Sequence, residues 1–188
     1  LAVRAGEDGP APASLRWGLV PHWAKDPNVG YRMINARSET AATRPSFREA
    51  MQHRRCLVPA SAFYEWLGNK APKHPYAIYA DDHRPFAFAG LWERWGDPQN
   101  PLETFSILTR NADASIAWLH DRMPVVMAPA NFDLWLDGPA PAAADLLGEP
   151  TPFAWATHPV SARVNNARSE GPDLMEPLPP PLRQGDLF

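Results

Sequence analysis

Hydrophobic and polar residues alternate with period two over several short stretches of the chain, and the helical period is never held for long. Phe86, Phe88, Gly90 and Trp92 fall on one face of a strand predicted within Pro85–Trp95. With Tyr76–Ala80, that strand predicts a hairpin across Asp81–Arg84. Thr104–Thr109 and Met123–Met127 read as further strands, and Phe153–Val164 as a last strand region. Leu15–Val20 predicts a short strand ending at Pro21, where the missing N–H suits a strand end. Cys56–Val58 and Ala62–Leu67 read as strand broken at Pro59. Pro21–Arg32 predicts a loop holding Trp23, with Asp26, Pro27, Asn28 and Gly30 as turn residues. Helices are short. Ser46, with Glu49 three residues on, makes a capping-box pattern for a helix to about Arg54. Asp113 predicts a cap for Ala114–Leu119, and Phe132–Leu136 and Ala142–Leu147 complete the set. From Gly171 five prolines predict an extended tail. The result is an α+β fold of mostly antiparallel strands. No βαβ rhythm, Gly-rich phosphate loop or internal repeat is present, which disfavours the standard nucleotide-binding folds.

Composition narrows the class. The 188 residues fit a single domain spanning 1–188. With 45% apolar and 21% charged residues, a real core is expected rather than a disordered chain. The 23 prolines and 8 tryptophans describe a loop-rich domain of short elements. No apolar run approaches the roughly 20 residues of a membrane span. The single cysteine excludes a disulfide framework within these residues and a Cys-rich zinc site, and fits a reducing compartment.

Charge is uneven. The net charge is −3, but residues 1–94 carry 13 Lys+Arg against 9 Asp+Glu, and residues 95–188 carry 5 against 12. Arg32, Arg37, Arg44, Arg48, Arg54 and Arg55 stand within 24 residues beside only Glu39 and Glu49. A guanidinium fork suits phosphate, so this run is a candidate anion footprint. On charge alone it reads more simply as a solvated helix face with ion pairs.

Three polar residues sit where chemistry could use them. Glu65 lies in Phe63-Tyr64-Glu65-Trp66, and a carboxylate among aromatics is costly to bury unpaired and suits general acid/base work. On alternation alone it turns to solvent while Tyr64 and Trp66 face the core. His120, in Trp118-Leu119-His120-Asp121-Arg122, reads on its own as a cap or surface residue, and Asn35 as a turn former. Cys56, in Cys56-Leu57-Val58, reads as a small buried hydrophobe rather than a nucleophile.

Taken together, these stretches resemble the SRAP family, the SOS response-associated peptidases that crosslink to abasic DNA. The likeness is carried by Trp17-Gly18-Leu19-Val20-Pro21-His22-Trp23, Asn35-Ala36-Arg37-Ser38-Glu39-Thr40 and Arg54-Arg55-Cys56-Leu57-Val58-Pro59. It continues through Phe63-Tyr64-Glu65-Trp66, Ala89-Gly90-Leu91-Trp92-Glu93, His120-Asp121-Arg122-Met123-Pro124, Pro159-Val160-Ser161 and Val164-Asn165-Asn166. The resemblance spans about Leu15 to Pro177 and implies a barrel-like core with short flanking helices.

It also implies a sensor of abasic sites in single-stranded DNA. In that family an N-terminal cysteine, exposed by removal of the initiator Met, condenses with the open sugar aldehyde to form a thiazolidine. A lyase activity is implied as well. Carried over residue by residue, Asn35 positions the cysteine and sugar, Glu65 is the acid/base and His120 binds and protonates the sugar hydroxyl. Arg37 and Arg122 hold phosphates, Thr109 lines the pocket, and Trp23 stacks on or wedges against a neighbouring base. No cofactor or metal is expected. The partner is abasic single-stranded DNA, bound by a monomer in a bacterial cytoplasm, with no membrane. The family's Cys-Gly-Arg opening is not in this sequence, and Leu1–Ala5 is similar to the strand before Trp17, so an opening segment is expected upstream of Leu1. The alternatives are a single-stranded DNA-binding module without chemistry and a hydrolase built on Cys56 and His120.

Overall fold

The computed structural model describes residues 1–68 and 73–179. In chain order the elements are β1 (Ala2–Gly6), β2 (Gly9–Ala13), β3 (Arg16–Trp17), β4 (Asn35–Arg37), α1 (Ser38–Ala41), α2 (Arg48–His53), β5 (Arg55–Ala60), β6 (Phe63–Leu67), β7 (His74–Ala80), β8 (Phe86–Trp95), β9 (Leu102–Asn111), β10 (Arg122–Pro124), β11 (Val126–Met127), α3 (Phe132–Asp137), α4 (Ala140–Asp145) and β12 (Trp155–Pro159), with short 3-10 turns between them. A nine-stranded mixed sheet runs β10-β9-β8-β5-β1-β2. On it, β11 pairs with β8, and β3 and β4 pair parallel to β9. A second sheet of three strands runs β12-β7-β6. The large sheet curls into a half-barrel, and the remaining pairings are antiparallel.

Period two explains why β8 is buried on both faces. Phe86 and Phe88, with Trp92 packed beside them, join Cys56, Phe105 and Ile107 in one apolar cluster. Ala87, Ala89 and Leu91 join Phe47, Met51, Trp135 and Leu147 of the helical layer in another. One face of the sheet is therefore covered by helices. The other looks into the half-barrel, towards Phe63 and Trp155 of the small sheet.

The structure differs from the sequence expectations at several elements. The expected hairpin is absent: β7 pairs with β6 and β12, while β8 pairs with β5, β9 and β11. Asp81–Arg84 is a crossover between sheets, tied by the Asp81 N–H to the Ala154 carbonyl at 2.9 Å. β5 runs through Pro59, because β1 reaches only Cys56 and Leu57 and the strand has a single neighbour there. The helix near Ser46 starts at Arg48 with no side-chain cap. Residues 114–119 form turns rather than a helix. The Asp113 carboxylate that was to cap them is held by Arg110, Thr151 and Trp155 instead. Pro21–Arg32 ends in a 3-10 turn, Pro27–Arg32. The tail expected to be extended begins with a 3-10 turn, Pro172–Met175, and Pro177 bridges to Val160. Residues 180–188 of it lie outside those described.

One irregularity shapes the site. The expected strand Met123–Met127 changes partner at Val125, whose N–H donates to Leu108 of β9 while its carbonyl accepts from Ala89 of β8, each at 2.8 Å. β8 and β9 pair up to Gly90 and Ile107, and beyond that point the chain bridges the gap between them.

Candidate functional site

On the half-barrel face of β9, alternation aligns Phe105, Ile107 and Thr109. With Val58 of β5 and Phe88 of β8 they floor a cleft of about 490 Å³. Its walls come from five further segments: Trp17 on β3, Asn35 on β4, Phe63–Trp66 on β6, His120 after the 114–119 turns, and Arg122–Pro124 on β10. Five of the expected site residues, Asn35, Glu65, Thr109, His120 and Arg122, thus line one cleft although they are spread over 88 positions of sequence. Asn35 gets there because β4 lies parallel beside β9, opposite Ile107.

Two expected residues stand outside the lining. Arg37 is exposed at the end of β4, in register with Thr109. Trp23 is 55% exposed on the loop after β3. That loop is pinched shut where Gly18, at φ +110°, meets Gly30: a Cβ on either would lie within 2.6 Å of the other's carbonyl oxygen. A polar cluster also anchors it. His22 lies 3.4 Å from the buried Glu93, which takes the Arg54 guanidinium at 2.9 Å and the Arg94 N–H at 2.9 Å.

Sequence reasoning missed several lining residues that lay within the motifs. Trp17 stacks on Phe105 with centroids 6.4 Å apart and donates its Nε1–H to the Ile34 carbonyl at 2.7 Å, while remaining exposed. Trp66 donates to Asn165 Oδ1 at 2.7 Å, which brings the late Val164-Asn165-Asn166 stretch to the cleft wall. Glu39, which stands beside the cleft and not in its lining, was missed too. Its carboxylate takes Arg122 Nη1 and Nη2 at 2.6 and 2.9 Å, and that pairing holds its pKa down to about 2.

The cleft presents one carboxylate, Glu65, and one imidazole, His120, beside the polar side chains of Asn35, Thr109 and Arg122. The half-buried Glu65 accepts one weak local bond, from the Trp66 N–H at 3.1 Å, and keeps acceptor capacity for a substrate. His120 Nδ1 lies 2.9 Å from the Arg122 N–H and 3.1 Å from the Arg122 carbonyl. The ring therefore has a main-chain partner at Nδ1 whether neutral or protonated, and Nε2 is left for a ligand. Cys56 offers nothing: it is fully buried, burial pushes its thiol pKa upward, and no thiolate is available for a hydrolase. Arg55 is likewise no phosphate ligand. It is buried and donates to the carbonyls of Met51, Gln52, Trp135 and Gly138, at the ends of α2 and α3. Of the arginine run, Arg32, Arg37, Arg44 and Arg48 remain exposed. Among the described residues no three His, Cys, Asp or Glu side chains group as metal ligands would, and no helix is long and apolar enough to cross a membrane.

Comparison with known proteins fits this arrangement. The family model described as SOS response associated peptidase (SRAP) matches residues 1–167. Abasic site processing protein YoqW of Bacillus subtilis is 40% identical over 167 residues, covering 86% of this chain and 75% of its own. Abasic site processing protein YoaM of the same organism is 39% identical over 168 residues, covering 86% and 74%. A crystal structure of a Bacteroides thetaiotaomicron protein superposes with a TM-score of 0.81 at 26% identity, covering 94% of this chain and 80% of that one.

Proposed function

The chain belongs to the SOS response associated peptidase family, and from that membership we propose that it processes abasic sites in single-stranded DNA, capturing the opened sugar as a covalent thiazolidine. The observation that carries the reading is the cleft itself, where Asn35, Glu65 and His120 converge from three separate segments over an apolar floor. Relatives 40% and 39% identical bear the name abasic site processing protein.

The chemistry follows from the closed form of an abasic sugar. Opening the ring breaks the C1′–O4′ bond, and the leaving oxygen needs a proton; Nε2 of His120 supplies it. The α-amine of an N-terminal cysteine then adds to the C1′ aldehyde. The resulting carbinolamine loses water to give an imine, and Glu65 moves the protons that this loss requires. Addition of the cysteine sulfur to the imine carbon closes the thiazolidine, so that aldehyde and aminothiol give ring and water. Asn35, with a donor and an acceptor on one amide, orients the amine and the sugar. Thr109 lies in the floor of the same cleft. Arg37 meets phosphate, and Trp23 meets a base beside the lesion. Cys56 cannot take the cysteine's part, because it is buried and has no free α-amine. The crosslinking step is therefore proposed for a form whose first residue is cysteine. Removal of a preceding Met, lyase cleavage of the strand, a place in the SOS response and a monomeric, DNA-associated state in a bacterial cytoplasm belong to the same proposal.

The test is incubation of that cysteine-first form with abasic single-stranded DNA, followed by a denaturing gel. A heat-stable shifted band is expected, and Glu65→Gln and His120→Ala should slow its appearance by about 10²–10⁴-fold, the usual weight of a general acid or base. A salt-sensitive complex that dissolves on denaturation would reduce the protein to a binding module.

A further inference from the structure

Among the described residues four aromatic side chains are more than half exposed: Trp17, Trp23, Tyr31 and Trp118. The first three belong to β3 and the loop that follows it. Trp118 stands apart from them, two residues before His120 in the 114–119 turns. The pairing along β9 separates the two groups. Trp17 lies beside Phe105, Asn35 beside Ile107 and Arg122 beside Asn111, and the Ala112 N–H then donates to the Asp121 carbonyl at 2.9 Å. The Trp23 loop is tied to the Phe105 end, where Trp95, opposite Leu102, donates its Nε1–H to the Ala24 carbonyl at 2.7 Å. From Phe105 to Asn111 a strand covers about 20 Å. The cleft therefore has an exposed indole at either end.

Trp118 is also held in place. Its ring meets that of Tyr76 edge to face, with centroids 5.3 Å apart, and its Nε1–H donates to the Ser115 carbonyl at 3.1 Å. Tyr76 is the partner of Glu65 in the β6–β7 register, so the two share a face, and one side chain separates the indole from the carboxylate of the cleft. Ile116 and Leu119 of the same turns are buried against Ile78 and Met123, so the core is closed without Trp118. In a perpendicular pair at least one face of the indole is left uncovered by its partner. Residues 111–121 carry no Lys or Arg, so what these turns offer a nucleic acid is an aromatic plane rather than a cation.

We propose that Trp118 is a stacking platform for a base of the bound strand, on the side of the abasic sugar away from Trp23. The proposal rests on the reading of the cleft as an abasic-site pocket and extends it: the bases flanking the gap are held separately, one at each end of the cleft. Every base has a π-face, so the platform accepts any sequence. An indole already fixed by Tyr76 and Ser115 loses little side-chain freedom when the base arrives.

The test uses the cysteine-first protein and single strands carrying a central tetrahydrofuran abasic analogue, which has no aldehyde and cannot crosslink. A fluorescent base, 2-aminopurine, which stacking quenches, is placed next to the analogue on one side or on the other. Binding of the wild type should quench it at both positions. Trp118→Leu keeps an apolar cover on Tyr76 without the aromatic plane, and it should relieve the quench at one position only. The same variant should weaken binding by about five- to thirtyfold, the weight of one base–aromatic stack. Its salt slope should match that of the wild type, because no phosphate contact is lost. Replacing the base on the relieved side by a second tetrahydrofuran should bring variant and wild type within about twofold of each other, which a general distortion of the cleft would not do. Equal quenching in variant and wild type at both positions would overturn the proposal. So would a loss of affinity that persists once that base is gone. If Trp118→Leu does not fold, the wild type decides alone: quenching at both positions supports the proposal, and quenching at one or neither overturns it. A wild-type protein that does not bind the analogue strand rejects the reading of the cleft itself, a different failure from any of these.

Discussion

The pair formed by Glu39 and Arg122 leaves a mark on acid stability. The folded-state pKa of Glu39 lies at about 2, below its ordinary 4.5, because Arg122 donates to its charged form. The unfolded chain therefore takes up this proton first as the pH falls. The stability from the pair is complete above pH 4.5 and is lost as the pH drops towards 2. With the Glu39 side chain 49% exposed, solvent screening limits that contribution to about 1 kcal/mol. Urea titrations between pH 5 and 2.5 should show Glu39→Gln losing less stability than wild type; identical slopes would show that the pair contributes nothing. At this scale the sequence was legible in type and opaque in partner. Motifs pointed to Asn35, Glu65 and His120, and the cleft contains all three. A run of arginines says nothing about which carbonyl or carboxylate each will meet, so Arg55 looked like Arg37 although it caps helix ends; the resemblance set Arg122 beside Arg37, and its guanidinium is paired with Glu39.

Strands were readable from alternation, and their neighbours were not. The β8 pattern foretold which residues share a face, and the two apolar clusters divide it as expected. Nothing local says that β7 and β8, four turn residues apart in the expected hairpin, belong to different sheets. That is decided by the long-range pairings of β5 and β9 on one side and of β6 and β12 on the other. Gly90 marks how closely β5 and β8 pack. A Cβ there would sit 2.8 Å from Cys56 Sγ and 3.2 Å from the Ser106 carbonyl. Gly90→Ala should therefore destabilise the fold by about 1–3 kcal/mol through overpacking, read from the denaturant midpoint. Adding Cys56→Ala should recover part of that loss, because the sulfur is the nearest obstacle; strictly additive losses would refute this packing account.

The whole molecule is organised around a gap between its sheets. The cleft takes its floor from the half-barrel and one wall from β6 of the small sheet. That wall is braced from the far end of the chain by the Asn165 bond to Trp66. Asn165→Ala should leave the melting temperature within about 2 °C, as an exposed site away from the core, because such surface changes stay within about 0.5 kcal/mol. It should still weaken binding of an abasic-analogue strand by about two- to fivefold, since an unbraced aromatic must be ordered on binding. Equal affinity would mean that the brace is idle. The partner change at Val125 governs which insertions and deletions the protein can accept. Arg122 and Pro124 line the cleft from β10, and two residues later Val126 is already paired with Phe88 of β8. The segment has no spare length, and adding or removing one residue would turn the cleft-lining side chains to the opposite face of the sheet. Changes in chain length should be tolerated instead at turns such as Glu7–Asp8 and Gly96–Pro101, which line no part of the cleft.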